Sequence, residues 1–211
     1  NKKRIFLTVD VEGDWSVFPK EQIRFNAQNI LDNLSKLDKK ISQIKKTYKI
    51  SLPITWFIRC DKSVKFTLGS YSGLLKTLER FIEEKLNIGD VFGIHPHFYS
   101  MDDKNTDGRI SSDELLEQLI QAVESWQKFF GERPIFSRMG EAKMNNTLAK
   151  ELDNQRIRID SSALPGRKRQ DNGFDFDWTK TSSDFYYPSK NNYQISSPSP
   201  KENLYFLEVP F

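Results

Sequence analysis

The stretch Asp90-Val91-Phe92-Gly93-Ile94-His95-Pro96-His97 is a short apolar run that ends in the only two histidines of the sequence. Side chains two residues apart in extended backbone lie on the same side of a strand, and Pro96 biases His95 toward that conformation. We therefore expect both imidazoles on one face, as half of a metal site or as a catalytic pair. The alternative is a pair of partly exposed histidines where a strand leaves the sheet.

A second pair of polar side chains ends the first apolar run of the chain, from Arg4 to Val11. Asp10 and Glu12 share one face by the same two-residue period, and Gly13 frees the backbone to turn. Asp10 stands inside the apolar run, where a buried carboxylate is costly unless it has a partner. The alternative is a solvated acidic turn after a strand.

Helical and strand-like patterns alternate along the remaining sequence. Apolar residues at helical spacing predict helices over 26–48, 74–86, 115–130 and 146–152, and apolar runs predict strands over 53–58, 90–95, 135–138, 156–160 and 204–209. Charged groups follow several strands, as Arg59 and Asp61 follow the second. This pattern predicts one α/β domain over residues 1–211, with a parallel sheet or barrel whose active site lies at the carboxyl ends of the strands.

The composition narrows the classes of function. Formal net charge is +3, from 32 basic and 29 acidic residues, and this balance argues against a nucleic-acid or membrane-surface binder. No segment has the length and apolar character of a membrane span. Cys60 is the only cysteine, so no internal disulfide can form. With no signal-like apolar run at the start, this favours a reducing, cytoplasmic location.

Residues 103–114 match the register of a calcium-binding loop, with Gly108 at the sharp turn. The oxygen ligands would come from Asp103, Asn105, Asp107, the carbonyl of Arg109, and Glu114, with Ser111 contributing directly or through water. Such an ion would be structural. The alternative is ordinary turn chemistry followed by a capping box, Ser111-x-x-Glu114, that opens the next helix.

Residues 165–203 form a long polar segment that carries seven aromatic residues, among them Trp178. A loop of this length in a compact domain is more often functional than idle. Aromatic rings among Asn, Asp, Ser and Lys suit a surface that lines a carbohydrate, and we expect Arg59, Asp61 and Trp178 to contact substrate. The alternative is a lid whose rings pack on the sheet.

The acidic pair and the histidine pair would together form a hydrolytic metal site. Two imidazoles and one carboxylate make an open three-ligand site for zinc or a similar divalent ion, whose remaining position holds a water of lowered pKa. A second carboxylate nearby can act as a general base, and Arg138 could pair with that base and keep it ionised. Such a site hydrolyses acyl groups.

Several stretches in order along the chain resemble the polysaccharide deacetylases, the NodB-homology group of carbohydrate esterases, and within it a WbmS-like branch of surface-polysaccharide biosynthesis. They are 7–12 (LTVDVE), 55–61 (TWFIRCD), 93–99 (GIHPHFY), 138–140 (RMG), 159–166 (IDSSALPG) and 207–210 (LEVP). The resemblance implies a deformed (β/α) barrel of roughly seven strands and metal-dependent removal of N- or O-acetyl groups from an acetylated sugar or glycan. It implies Asp10 as the base, Arg138 as its orienting arginine and His95 as a metal ligand.

The sequence departs from the family pattern at four places, one of which is the arginine motif at 138–140, which lacks its usual proline. Val11 stands where the second of two adjacent aspartates is usual, so Glu12 is the natural replacement ligand, although Asp10 could bind the metal itself. Tyr99 stands at the usual second histidine, so His97 must replace it. No histidine follows His97 to act as general acid. Either the native chain continues, another group protonates the leaving group, or catalysis is impaired.

Three functions are therefore open. The first is a metal-dependent sugar deacetylase with Asp10 as base, Glu12, His95 and His97 as metal ligands, and Arg138 orienting the base. The second is a non-catalytic carbohydrate-binding relative that keeps the groove. The third is an amidohydrolase on the same scaffold.

Overall fold

The computed structural model of the protein describes residues 6–13, 26–99, 110–170 and 175–211. Six parallel strands form one sheet, in which each strand pairs with the next. In spatial order they are Leu7–Val11 (β1), Ile54–Ile58 (β2), Val91–Ile94 (β3), Phe136–Ser137 (β4), Ile159–Asp160 (β5) and Leu207–Glu208 (β8). Two further strands, Lys168–Arg169 (β6) and Phe176–Asp177 (β7), pair antiparallel within the segment expected to be loop.

Helices connect the strands of the sheet, as expected for a parallel arrangement. They are Ala27–Tyr48 (α1), Lys62–Leu68 (α2), Gly73–Thr77 (α3), Glu79–Leu86 (α4), Ser112–Phe130 (α5) and Asn146–Asn154 (α6). Short 3-10 turns lie at Gly140–Ala142 and Pro200–Glu202. The helix expected over 74–86 is divided at Leu78, and α2 was not expected. None of the described helices combines the length and the apolar character needed to cross a bilayer.

The two faces of the sheet pack against different groups. Trp56 and its neighbours on one face are buried beneath the helices, and the Trp56 ring meets Phe81 of α4 edge-on at 5.1 Å between centroids. Gly93 lies on the opposite face, where an added Cβ would come within 2.8 Å of Phe57 and Phe136. Only glycine leaves room for these two aromatic side chains above β3.

The sheet is curved into an incomplete barrel. Arg138, which follows β4, donates hydrogen bonds to Thr8 and Asp10 on β1, at 3.0 and 2.8 Å, and to the carbonyl of Ser161 after β5, at 2.8 Å. In a flat sheet β1 and β4 would lie about 14 Å apart, too far for one side chain to bridge while also contacting β5. The sequence led us to expect roughly seven strands, whereas six pair in the sheet of the described residues.

A buried pair of carboxyl groups joins β5 and β8 on the face opposite Arg138. The side chain of Asp160 accepts hydrogen bonds from Ser137 Oγ at 2.5 Å and from the Ser162 amide at 3.1 Å. Glu208 Oε1 accepts from the amides of Ser162 and Ala163, at 3.1 and 2.9 Å. Burial, followed by the neighbouring charge of Asp160, raises the pKa of Glu208 well above its ordinary value. The pair therefore retains a proton where exposed acids are ionised.

Candidate metal centre

Glu12, His95 and His97 meet at the carboxyl-terminal edge of the sheet. Glu12 follows β1, and the histidines follow β3, where the His95 amide donates to the carbonyl of Ile58 at 2.9 Å and so extends the pairing with β2. His95 and His97 are 3% and 4% exposed, whereas the Glu12 side chain is 41% exposed. The two pairs singled out in the sequence thus converge, with the carboxylate on the solvent side.

Hydrogen bonds on the far side of each ring decide which nitrogen faces the cluster. His95 Nδ1 lies 2.8 Å from the carbonyl oxygen of Arg138, which can only accept, so Nδ1 carries the hydrogen. His97 Nδ1 lies 2.8 Å from the Tyr99 hydroxyl, which can accept in the same way. This assignment, inferred from the hydrogen-bond network, leaves both Nε2 lone pairs directed toward Glu12.

The spacing of the three ligand atoms fits a divalent ion. Glu12 Oε1 lies 3.1 Å from His95 Nε2 and 3.4 Å from His97 Nε2, and the two nitrogens are 3.1 Å apart. An ion with tetrahedral bonds of about 2.0–2.1 Å would hold its ligands about 3.3 Å from one another. Two nitrogen lone pairs and a carboxylate this close repel one another unless a cation or a proton lies between them. The donor set therefore fits zinc or a similar ion.

The protonation states of the cluster suit metal binding. In the ion-free cluster a proton on Nε2 lets His95, and then His97, donate to Glu12, and these hydrogen bonds hold the pKa of Glu12 far below its ordinary value, so its carboxylate is ionised. Burial lowers the pKa of His97, which favours the neutral ring. Neutral imidazole and ionised carboxylate are the forms that coordinate metal ions, and a proton competes for the same place.

Asp10 lies beside this cluster and is held by Arg138. The Asp10 side chain is 34% exposed, and its Oδ1 accepts from Arg138 Nη1 at 2.8 Å. The guanidinium is enclosed by the rings of Phe57 and Phe211, each with its centroid 4.5 Å from the central carbon. Arg138 therefore has a single orientation, in which Asp10 remains open to solvent.

The three residues that we expected to contact substrate are buried in this structure. Arg59 and Asp61 are 2% and 0% exposed, and Arg59 Nε donates to Asp61 Oδ2 at 2.5 Å. Asp61 caps α2 and also accepts from the backbone amide of His97 at 3.2 Å. Trp178 is 0% exposed, and its indole donates to the Ala142 carbonyl at 2.9 Å. Their contacts position the loops around the site, and their side chains are not on a surface open to a ligand.

Sequence reasoning did not assign a role in the site to Gly140, Tyr99 or Phe211. An added Cβ at Gly140 would lie 2.2 Å from Cδ2 of His97, so the turn after β4 packs directly on that ring. Tyr99 could have been found by extending the two-residue period of the histidines. The contact of Phe211 with Arg138 depends on the curvature of the sheet, which has no local sequence signal.

The predicted calcium ligands Asp103, Asn105, Asp107 and Arg109 lie outside the described residues. In the described part of this segment, Ser111 Oγ accepts from the Glu114 amide at 3.2 Å and caps α5. The Glu114 carboxylate accepts from Lys62 Nζ at 2.9 Å. The helix cap expected from the sequence is present, and calcium binding stays a prediction.

Comparisons with known proteins show similarity at the level of fold. No protein-family model and no curated protein matches the chain. A structure from Parabacteroides distasonis, provisionally described as a glycoside hydrolase/deacetylase, has a TM-score of 0.51 and 12% identity over 75% of this chain and 33% of its own. A provisionally described polysaccharide deacetylase from Mycobacterium smegmatis has a TM-score of 0.48 and 13% identity over 98% of this chain and 57% of its own.

A family 4 acetyl xylan esterase from Clostridium thermocellum, in complex with a cobalt ion, has a TM-score of 0.42 and 19% identity over 84% of this chain and 62% of its own. The chain thus spans less than two thirds of each of these structures. The conclusion on fold depends on the Parabacteroides structure, whose TM-score exceeds 0.5. The chain has an α/β fold with a parallel, barrel-like sheet, and at the level of fold it is similar to that structure.

Proposed function

We propose that the protein is a metal-dependent deacetylase that removes N- or O-acetyl groups from a sugar or glycan, with a place in surface-polysaccharide biosynthesis. The observation that carries the proposal is the convergence of Glu12, His95 and His97 beside the pair formed by Asp10 and Arg138. A three-ligand cluster next to a separate, partly exposed carboxylate is the arrangement that acyl hydrolysis requires.

Each residue of the centre has a distinct part in this reaction. Glu12, His95 and His97 would hold the ion, for which we propose zinc, and a bound ion of this kind polarises a carbonyl and lowers the pKa of a water. Asp10 is the general base that accepts a proton from the attacking water, because it is the remaining carboxylate on the open side. Arg138 donates a hydrogen bond to Asp10 at 2.8 Å and so fixes the direction of its lone pairs.

The residues expected to bind substrate take a different role in this proposal. Arg59 supports Glu12, since its Nη1 lies 3.6 Å from Glu12 Oε2, and Asp61 fixes both Arg59 and the backbone of His97. Trp178 fixes the turn that packs against His97. Substrate itself would meet the exposed edges of Glu12, Asp10 and Phe211, a residue that is 57% exposed.

The proposal is tested by metal content and turnover measured on the same preparation. We expect near-stoichiometric metal by elemental analysis, together with hydrolysis of 4-nitrophenyl acetate that is lost on chelation and restored by zinc. Asp10→Asn should abolish hydrolysis and retain the metal, whereas Asp184→Asn, at an exposed position away from the centre, should change neither. Binding of acetylated sugar without turnover in the metal-loaded protein would favour the non-catalytic alternative.

A further inference from the structure

The edge of the sheet opposite the metal centre carries a set of exposed apolar residues. Because the six strands of this sheet are parallel, the residues just before them lie along one edge. Five of the six strands are preceded, within four residues, by a large apolar residue that is 44–65% exposed. These residues are Phe6, Ile50, Ile88, Ile135 and Tyr205, and together they are called the amino-terminal face.

The sixth strand, β5, has a cation at the corresponding place. Arg158 directly precedes β5 and is exposed. Its amide donates to the Ile135 carbonyl at 2.9 Å, and its carbonyl accepts from the amide of Leu207, two residues after Tyr205, at 2.8 Å. Arg158 therefore lies between two apolar members of the amino-terminal face.

Packing in the core does not account for these apolar residues. Single apolar side chains on a surface are common, and one of them before one strand would need no explanation. Here exposed apolar residues recur at the same end of five strands, and at least 44% of each is open to solvent. Contiguous apolar surface that stays exposed in a folded chain indicates an interaction site.

The connections that carry these residues are basic. In the described segments 48–53, 86–90, 131–135, 154–158 and 203–206, the exposed charged residues are Lys49, Arg133, Arg156, Arg158 and one acid, Glu132. Four cations and one acid leave an excess of +3, which equals the formal net charge of the whole chain. The near balance of the whole chain argued against a membrane-surface binder, but the basic excess is concentrated at one edge of the sheet.

Cations lie directly beside the apolar side chains. Lys49 precedes Ile50, and Lys190 Nζ lies 5.8 Å from the centre of the Tyr205 ring. Apolar and aromatic side chains mixed with Lys and Arg are typical of surfaces that bind at the bilayer interface. The apolar groups enter the headgroup region, while the cations are attracted to anionic lipid headgroups.

The same arrangement argues against other occupants of this face. In a two-fold symmetric dimer a second copy of the chain would meet the face with the same face, so the basic connections would repel each other. A helix or strand of a protein partner binds along a continuous apolar groove or a sheet edge. The apolar residues of the amino-terminal face come from five connections and have cations between them.

We propose that the amino-terminal face binds the surface of a bilayer that contains anionic lipids. Phe6, Ile88 and Tyr205, the most exposed of its apolar residues, provide most of the apolar contact. In this position the metal centre, at the opposite edge of the sheet, faces the aqueous phase. The proposal does not depend on the chemistry at the metal centre, because the two sites share no residue.

The test is co-sedimentation of the protein with vesicles of phosphatidylcholine alone, or of phosphatidylcholine and phosphatidylglycerol in equal amounts. We expect the anionic vesicles to be bound at least about tenfold more tightly than the neutral ones, since each Lys or Arg near an anionic surface strengthens binding roughly fivefold. Raising the salt concentration from about 0.1 M to about 1 M should remove most of this difference, because salt screens exposed charges.

Two double variants separate the apolar and the electrostatic contributions. Ile88→Ser with Tyr205→Ser should weaken binding to the anionic vesicles about tenfold or more, because it removes apolar surface that enters the headgroup region. Arg133→Gln with Arg158→Gln should weaken it about 25-fold and leave binding to the neutral vesicles unchanged.

Each double variant has a matched control elsewhere on the chain. Phe66→Ser removes a ring that is 71% exposed on α2, and Arg167→Gln with Lys180→Gln removes two exposed cations from segments that follow β5. Both controls should bind as the wild-type protein does. All of these changes are at exposed positions, so the melting temperatures should match that of the wild-type protein.

Three results of the vesicle experiment would overturn the proposal: equal binding to the two kinds of vesicle, no binding at about millimolar lipid, or wild-type affinity in both double variants. Sedimentation equilibrium without lipid tests the competing occupant. A dimer that dissociates on Ile88→Ser with Tyr205→Ser would assign the face to a second copy of the chain and would also overturn the proposal.

Discussion

The guanidinium of Arg138 donates to the carboxylate of Asp10 at 2.8 Å, across 128 residues of sequence. The same side chain contacts Thr8 and Ser161, so one residue connects β1, β4 and β5 inside the curved sheet. The contact that holds the sheet in its curved form is therefore also the contact that orients the proposed base, so the fold and the proposed chemistry depend on the same residue.

Arg138→Lys tests this double role. Lysine keeps the charge but cannot reach Asp10, Thr8 and Ser161 at once. We expect kcat/KM to fall about 100-fold, as for a misplaced catalytic group. The free energy of unfolding should fall by about 1–3 kcal/mol, because buried acceptors lose their donors. Arg158→Lys, at an exposed position, is the control for both measurements, and equal activity in Arg138→Lys and Arg158→Lys would contradict the role of Arg138.

Tyr99→Phe tests how His97 is oriented. The Tyr99 hydroxyl lies 2.8 Å from His97 Nδ1, and its removal leaves that nitrogen without this partner. We expect zinc affinity, measured by chelator competition, to fall about 10- to 100-fold, as for other residues that orient metal-bound histidines. Tyr48→Phe, which alters an exposed ring on α1, should retain the wild-type affinity. Unchanged zinc binding in Tyr99→Phe would show that His97 needs no such support.

Glu208→Gln tests the buried carboxyl pair through the dependence of stability on pH. The folded pKa of Glu208 lies above the ordinary value of 4.5, so the folded state binds more protons than the unfolded state. Stability from this group is present in full below pH 4.5 and is lost as the pH rises through the folded pKa, by about 1.4 kcal/mol for each unit of the shift. Glutamine keeps an acceptor for the amides of Ser162 and Ala163 and a donor for Asp160.

The wild-type protein should therefore lose stability relative to Glu208→Gln between pH 5 and pH 8, measured by denaturant unfolding at both values. Glu83→Gln, at an exposed position on α4, should follow the wild-type profile. Parallel pH profiles for the wild-type protein and Glu208→Gln would mean that Glu208 is ionised throughout.

The parts of the fold that follow from local patterns were predictable from the sequence. The 22-residue helix α1 and the 19-residue helix α5 lie where apolar spacing predicts them, and the two-residue period correctly puts His95 and His97 together. The antiparallel β6–β7 pair was missed because its strands have two residues each and lack a visible alternation.

The limits of sequence reasoning are clearest at Arg59, Asp61 and Trp178. Arg59 and Asp61 follow a strand and Trp178 lies in an aromatic segment, and these positions indicated contact with substrate. Whether a side chain is buried depends on which other segments pack over it, and no local sequence pattern shows that. The metal cluster needed two predictions at once. The acidic pair was also interpretable as a solvated turn, and the histidine pair as partly exposed residues where a strand leaves the sheet, until the curvature of the sheet brought them together.

The most direct test of the central claim is anomalous diffraction at the zinc edge from crystals grown with zinc. We predict one strong peak about 2.0–2.2 Å from Glu12 Oε1 and from the Nε2 atoms of His95 and His97, with Asp10 outside direct bonding distance. A structure with no peak between these three residues, or with the ion bound elsewhere on the chain, would contradict it.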